Sequence, residues 1–346
     1  MPSRQKIGAN QSIFRRLEKY CNDRGEPISN AGTPKWIQTE SKTRDFLVSA
    51  RLVQKLDLSP SMKAARFDHE GRTYFTTSGL EILDPPIGLD PEELNGAILT
   101  TILSDLEIRP TARPIGIKEI VEYADKTQSD YQGHDSERIA SLFPPIQVFS
   151  TELVEGEESG NVLFLLCLAD RRVYDHWIDT NLADALRILA TASATAVPYE
   201  ILSRAVLDFD PADLYLALYR SLETLYAREK TLALKSELGI ATDWVKLALL
   251  LETHLGWYPK EETSLEALLQ HSNRSELLRL IGALGEKVTK GTNVPAFAAR
   301  RIYALRNNLV HYRPFHRFQP TDTVDWCRLC ETMANLVSDI YTKSKT

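Results

Sequence analysis

Arg306, Asn307 and His311 are the residues of this chain whose types and spacing best suit chemistry. An imidazole changes charge near neutral pH, so it can take up and return a proton. A guanidinium is always ionised, and its planar fork matches the oxygens of a phosphate. Asn307 stands four residues before His311, which on a helix puts both side chains on one face. There the amide can orient either the imidazole or a phosphate. Arg306 and His311 are five residues apart, so on an ideal helix of 3.6 residues per turn their directions differ by roughly 140°. Either Arg306 bends around, or the helix distorts, or the site draws on two copies of the motif.

The element that carries these residues runs from Ala298 to Pro314 and reads as a helix. Ala298, Ile302, Leu305, Leu309 and Tyr312 form one continuous apolar stripe. Pro295 suits the first turn, where its missing N–H does no harm, and Pro314 marks the exit. No acidic residue occurs between Lys287 and Thr321, whereas Arg300, Arg301, Arg306, Arg313 and Arg317 do. That is a local cationic field. Tyr303 and Tyr312 are placed either to stack on bases or to pack, and His316 falls in a loop.

The Arg306-Asn307-x-x-x-His311 pattern resembles the signature of the HEPN family, helical domains that often cleave RNA. The resemblance covers the motif and, more loosely, the helices from about Asp210 onward. It implies an endoribonuclease that needs neither metal nor cofactor. His311 would move protons, Arg306 would stabilise charge on the phosphate, and Asn307 would orient. Arg300, Arg301 and Arg313 would track the RNA backbone. The products would be a 2′,3′-cyclic phosphate and a 5′-hydroxyl. It further implies a homodimer whose two motifs meet, and a setting in stress response or antiviral defence, with a toxic activity held in check until triggered.

Each of these residues also has a purely structural reading. His311 fits the cation-favouring C-terminus of a helix, Arg306 fits an ion pair with Glu223 on a neighbouring helix, and Asn307 fits solvent. Glu223 fits equally well as a group that polarises His311. Two other functions therefore stay open, a non-catalytic RNA- or nucleotide-binding module and a dimeric interaction scaffold.

A net charge of −6 argues against indiscriminate coating of nucleic acid. The acidity is uneven. After residue 205 the chain carries 18 Lys+Arg against 17 Asp+Glu, leaving 23 against 30 before it. Four cysteines are too few for a disulfide scaffold. Cys327-x-x-Cys330 has no second pair nearby to complete a zinc site, so both read as core-facing thiols. No apolar run is long enough to span a bilayer and no signal-peptide core follows Met1, so a cytoplasmic protein is expected.

The expected fold class is α+β, with a mixed sensing or regulatory domain at 1–205 and an all-α bundle at 206–346. A protein or ligand trigger would act on the first. Helices are expected at Gln11–Asn22, at Thr43–Leu56 with Phe46, Leu47, Ala50 and Val53 inward, and from a cap at Asp90. Ala64–Asp68 and Arg72–Thr76 flank a glycine turn as a hairpin. Ile146–Phe149 reads as a strand, and the unbroken apolar Val162–Leu168 as a strand buried on both faces. Nothing basic beyond Arg44, Arg51 and Lys55 lines the helix before the hairpin, which favours a plain α+β module over a winged helix. In the bundle, Asp210-Pro211 and Asp243 open helices, Thr263-Ser264-Leu265-Glu266 resembles a capping box, and Ser275–Leu284 and Trp326–Tyr341 complete the set.

Overall fold

The computed structural model describes residues 6–123, 131–152, 154, 159–191, 197–311 and 323–344, and it is α+β. The chain divides into two compact units, Met1–Arg172 and Val173–Thr346. The division falls earlier than the 205/206 expected from sequence. The reason is that helix 180–191, between the two positions, packs against the C-terminal helix of the bundle.

The first unit is built on a five-stranded antiparallel sheet of β1 (Arg51–Asp57), β2 (Lys63–His69), β3 (Arg72–Ser78), β4 (Asp90–Glu92) and β5 (Ile146–Glu152), in the order β1-β2-β3-β5-β4. The β2–β3 hairpin turns on Glu70 and Gly71, both at positive φ (46° and 75°). A two-residue turn of that kind matches the twist of the flanking strands. Helices α1 (Lys6–Asn22), α2 (Arg44–Ser49), α3 (Gly96–Leu106), α4 (Pro114–Tyr123) and α5 (Ser136–Ala140) enclose the core on one face. There Ile13, Phe14, Leu17, Leu99, Ile102 and Leu103 meet Ala65, Phe67 and Val148 of the sheet. The opposite face carries Arg66 and Phe75, and α6 (Gly160–Leu168) packs against β2.

Three local expectations are corrected here. Val162–Leu168 is helical, not a strand: a run that is apolar all round belongs to any element buried on all sides, and periodicity cannot tell which. The helix from Thr43 stops at Ser49, because Ala50 turns extended (φ −61°, ψ 128°) and Arg51–Asp57 joins the sheet. Val53, counted as an inward helical position, sits where the β1–β2 register shifts. Asp90-Pro91 belongs to the short edge strand β4, where a proline without an N–H is tolerated. The helix after it is capped by Asn95, whose Oδ1 accepts from the Ala97 and Ile98 N–H groups.

A single turn, α7 (Arg171–Tyr174), spans the division. The second unit then contains α8 (Thr180–Thr191), α9 (Tyr199–Ala205), α10 (Pro211–Glu223), α11 (Arg228–Leu238), α12 (Trp244–Leu255), α13 (Glu261–Gln270), α14 (Arg274–Ala283), α15 (Val294–Val310) and α16 (Trp326–Ser344). Helix α16 is the hub and packs against α8, α10 and α14, while α15 packs against α13 and α14. Asp210 caps α10 as expected, and Asp243 caps α12. Helix α13 instead starts at Glu261 with no side-chain cap, and Thr263 donates its hydroxyl back to the Lys260 carbonyl. Cys330 is fully buried, and half-buried Cys327 donates to the Trp177 carbonyl, so both are free, inward-facing thiols. Two tyrosines tie the helices together. Tyr215 donates to the Ile302 carbonyl (2.7 Å), and Tyr341 donates to the Ser221 carbonyl (2.9 Å). Among the described residues no helix is long and apolar enough to cross a membrane.

Candidate active site

The site is assembled by α15, α10 and α13. Asn293 caps α15 and Pro295 occupies its first turn, as the sequence requires. Ala298, Ile302 and Leu305 are buried, and this fixes which way the opposite side of the helix points. Arg306, one turn after Ile302, stands at the edge of that buried side and is itself half-buried. Its Nη1 donates to Asn307 Oδ1 (3.0 Å), its Nη2 donates to Glu223 Oε1 (3.4 Å), and Nη1 stands 3.8 Å from Glu261 Oε2. Its Cζ lies 5.7 Å from the centroid of the Tyr219 ring. Tyr219 and Glu223 are one turn apart on α10, so both face the arginine.

Burial sets the electrostatics of this cluster. Desolvation pushes the Glu223 carboxyl above its usual range; the Arg306 charge works against that rise, and the Glu261 charge adds to it. Burial lifts the Tyr219 phenol to about 12 and raises Tyr226 further, and fully buried Tyr215 also lies well above its ordinary value. The arginine therefore sits beside groups that keep their protons, with two half-exposed carboxylates as its only negative partners among the described residues.

His311 is the C-cap of α15. Its N–H still closes the last turn on the Asn307 carbonyl (3.0 Å), but its backbone is extended (φ −109°, ψ 102°). The ideal-helix angle between Arg306 and His311 therefore no longer applies, since His311 has left the helical progression. The residue is exposed, and among the described residues its ring has no hydrogen-bond or ion-pair partner. Asn307 thus touches both ends of the motif, through its side chain to Arg306 and through its carbonyl to the backbone of His311.

Among the described residues, the arginines of the cationic field read from the linear sequence each face a glutamate. Arg300 lies 3.8 Å from Glu262, Arg301 pairs with Glu286, and Arg306 faces Glu223 and Glu261. The stretch is free of acids only along the chain. Of the two roles open to Glu223, its described contact is the ion pair with Arg306. Tyr303 is half-buried. Arg313, together with Tyr312, Pro314, His316 and Arg317, lies outside the described residues. Glu261 is the participant that sequence reasoning missed. Its only signal was a pair of glutamates opening α13, a pattern that ordinarily reports the helix dipole. Among the described residues no group of three or more His, Cys, Asp or Glu side chains could hold a metal ion. No protein-family model, curated protein or solved structure matches this chain.

Proposed function

We propose that the second unit is a HEPN-like bundle that cuts RNA. The observation that supports this most is the pairing of a loosely held guanidinium with an exposed imidazole at the end of one helix, joined through Asn307. Arg306 has contacts of 3.4 and 3.8 Å to half-exposed carboxylates, weak enough for a phosphate to displace. In the reaction the 2′-oxygen attacks the adjacent phosphorus and the bond to the 5′-oxygen breaks. His311 takes the 2′-hydroxyl proton or supplies one to the departing 5′-oxygen, and Arg306 offsets the added charge on the phosphate. The products are a 2′,3′-cyclic phosphate and a 5′-hydroxyl. Two copies would bring a His311 from each chain, one to remove the proton and one to return it, in keeping with the family's paired motifs. Arg300, Arg301 and Arg313 would follow the RNA backbone, the first two by exchanging their glutamates for phosphates. The first unit would sense or regulate, in a stress or antiviral setting.

One observation favours the second reading, a non-catalytic binding or scaffolding domain. Each described arginine of α15 already faces a glutamate. The test is incubation of the purified full chain with total cellular RNA in EDTA, beside folded His311→Ala and Arg306→Ala. Cleavage by wild type alone, leaving cyclic-phosphate ends, is the expected result. Cutting that survives His311→Ala overturns the assignment, and RNA binding without any cutting selects the second reading.

A further inference from the structure

Around Arg306, four buried polar oxygens make no hydrogen bond of normal geometry among the described residues. They are Tyr219 Oη on α10, Tyr226 Oη just after it, and Glu261 Oε2 and Ser264 Oγ in the first turn of α13. Buried polar groups are nearly always paired, so orphans gathered at one place call for a reason. The four are neighbours. The Tyr219 and Tyr226 rings meet edge to face at 6.4 Å, and the Glu261 charge is close enough to raise both phenols. Ser264 stands one turn beyond Glu261 on the same helix.

Burial lifts the Tyr219 phenol to about 12 and the Tyr226 phenol further, so each keeps a proton to donate. The Ser264 hydroxyl is a third donor. Glu261 Oε2 is an acceptor with no donor: at 3.8 Å from Arg306 Nη1 it makes an ion pair that is too long for a hydrogen bond. Donors without an acceptor and an acceptor without a donor thus surround one guanidinium. Rotation about the side-chain bonds of Glu261 would match them.

We infer that Glu261 is a positioning residue with two stations. In the free protein its carboxylate faces Arg306. When a phosphodiester arrives, that carboxylate turns to the hydroxyls of Tyr219, Tyr226 and Ser264, and Arg306 is released to the phosphate. Glu223, which accepts from Arg306 Nη2, stays as its partner. The hydroxyls matter because a phosphate bound beside an unmoved Glu261 would stand next to a like charge, and a buried carboxylate without donors is costly. Hydrogen bonds to an ionised acceptor are the strong kind, so the receiving station offsets what Glu261 loses on leaving Arg306.

The ligand class rests on the proposed function; what is added is the group that leaves Arg306 and where it goes. The experiment is fluorescence anisotropy of the full chain with a labelled 2′-O-methyl RNA, whose blocked 2′-oxygen cannot attack. Wild type stands beside E261Q, Y226F and S264A, the latter two also combined with E261Q, and R306A/E261Q, all checked for an unchanged helical signal. E261Q removes the competing charge and should bind about tenfold tighter. Y226F and S264A each remove a receiving donor and should bind about threefold weaker, the scale of one hydrogen bond. Neither should matter once E261Q is present, and E261Q should gain nothing without Arg306. Those two couplings are what a purely structural hydroxyl would not show. S264A carries the same test if Y226F fails to fold. An E261Q that binds no tighter, a gain that survives loss of Arg306, or hydroxyl losses that persist beside E261Q overturn the inference and leave the RNA reading standing. Absence of binding by every protein overturns the RNA reading and this inference with it.

Discussion

Arg66 in the first unit and Arg306 in the second both meet carboxylates, yet the protein holds them differently. Arg66 is 1% exposed; its Nε and Nη2 reach both oxygens of Asp68 (2.9 and 3.1 Å), and Nη2 also donates to the Val154 carbonyl at 2.6 Å. Asp68 accepts further from Thr73 and stands 3.5 Å from Arg51. Fork geometry and burial commit that guanidinium to the fold. Arg306 instead has one good hydrogen bond, to its neighbour Asn307, and two long contacts, at 3.4 and 3.8 Å, to the half-exposed side chains of Glu223 and Glu261. Arg66 is saturated by its partners, whereas Arg306 is held by weaker contacts, which is what the proposed function asks of it.

The largest effect that would test this contrast is Arg66→Ala. It leaves Asp68 largely buried with Thr73 and Arg51 as its remaining partners among the described residues, so the first unit should lose about 3 kcal/mol, toward the lower end for a broken buried pair. Urea denaturation of the full chain measures it, and a loss below 1 kcal/mol would erase the distinction. Next is Arg306→Lys, which keeps the charge but loses the fork. RNA cleavage should fall about a hundredfold, the size expected for one missing transition-state donor, while stability changes by less than about 1 kcal/mol. Equal activity of the lysine variant would mean that charge alone matters there.

A smaller effect concerns His134 in the first unit, which is buried against Phe14. Its Nε2 donates to the Val121 carbonyl and its Nδ1 accepts from the Tyr131 hydroxyl, a tautomer assigned from those partners. Burial holds it below the usual imidazole range. Its contribution is therefore complete above the unfolded-state value of about 6.5 and is lost as pH falls through the folded one. The stability of the first unit should drop over that interval, and His134→Gln should flatten the slope in denaturation at stepped pH. Glu223 has the opposite sign and the smallest effect. Burial raises its carboxyl, so what the protonated group contributes is present below the ordinary carboxylate range and lost as pH rises through the raised value. The stability of Glu223→Gln relative to wild type should improve across that interval. A difference that stays flat with pH would mean that the carboxyl is not raised.

Much of the bundle could be read locally. Asp210-Pro211, Asp243 and Pro295 announced their helices, and the stripe Ala298, Ile302, Leu305 gave the buried side of α15. The hairpin around Gly71 was equally clear. The misreadings share one cause. Val162–Leu168 is apolar because of where it lies, and Trp244, Ala248, Leu251 and Leu255, which share one apolar face of α12 by spacing, are only half-buried or, for Leu255, exposed.

The sequence by itself determined what acts over a few residues: caps, turn glycines, the phase of each amphipathic helix, and the placement of Asn307 between Arg306 and His311. Those rest on hydrogen bonds and side-chain periodicity within a turn or two of chain. Only the tertiary structure decided which charges meet. It brought Glu223 and Glu261 from two other helices to Arg306, set a glutamate against each described arginine of α15, and left α12 half bare. Coulombic attraction and burial depend on distance through space, and chain order does not encode that distance.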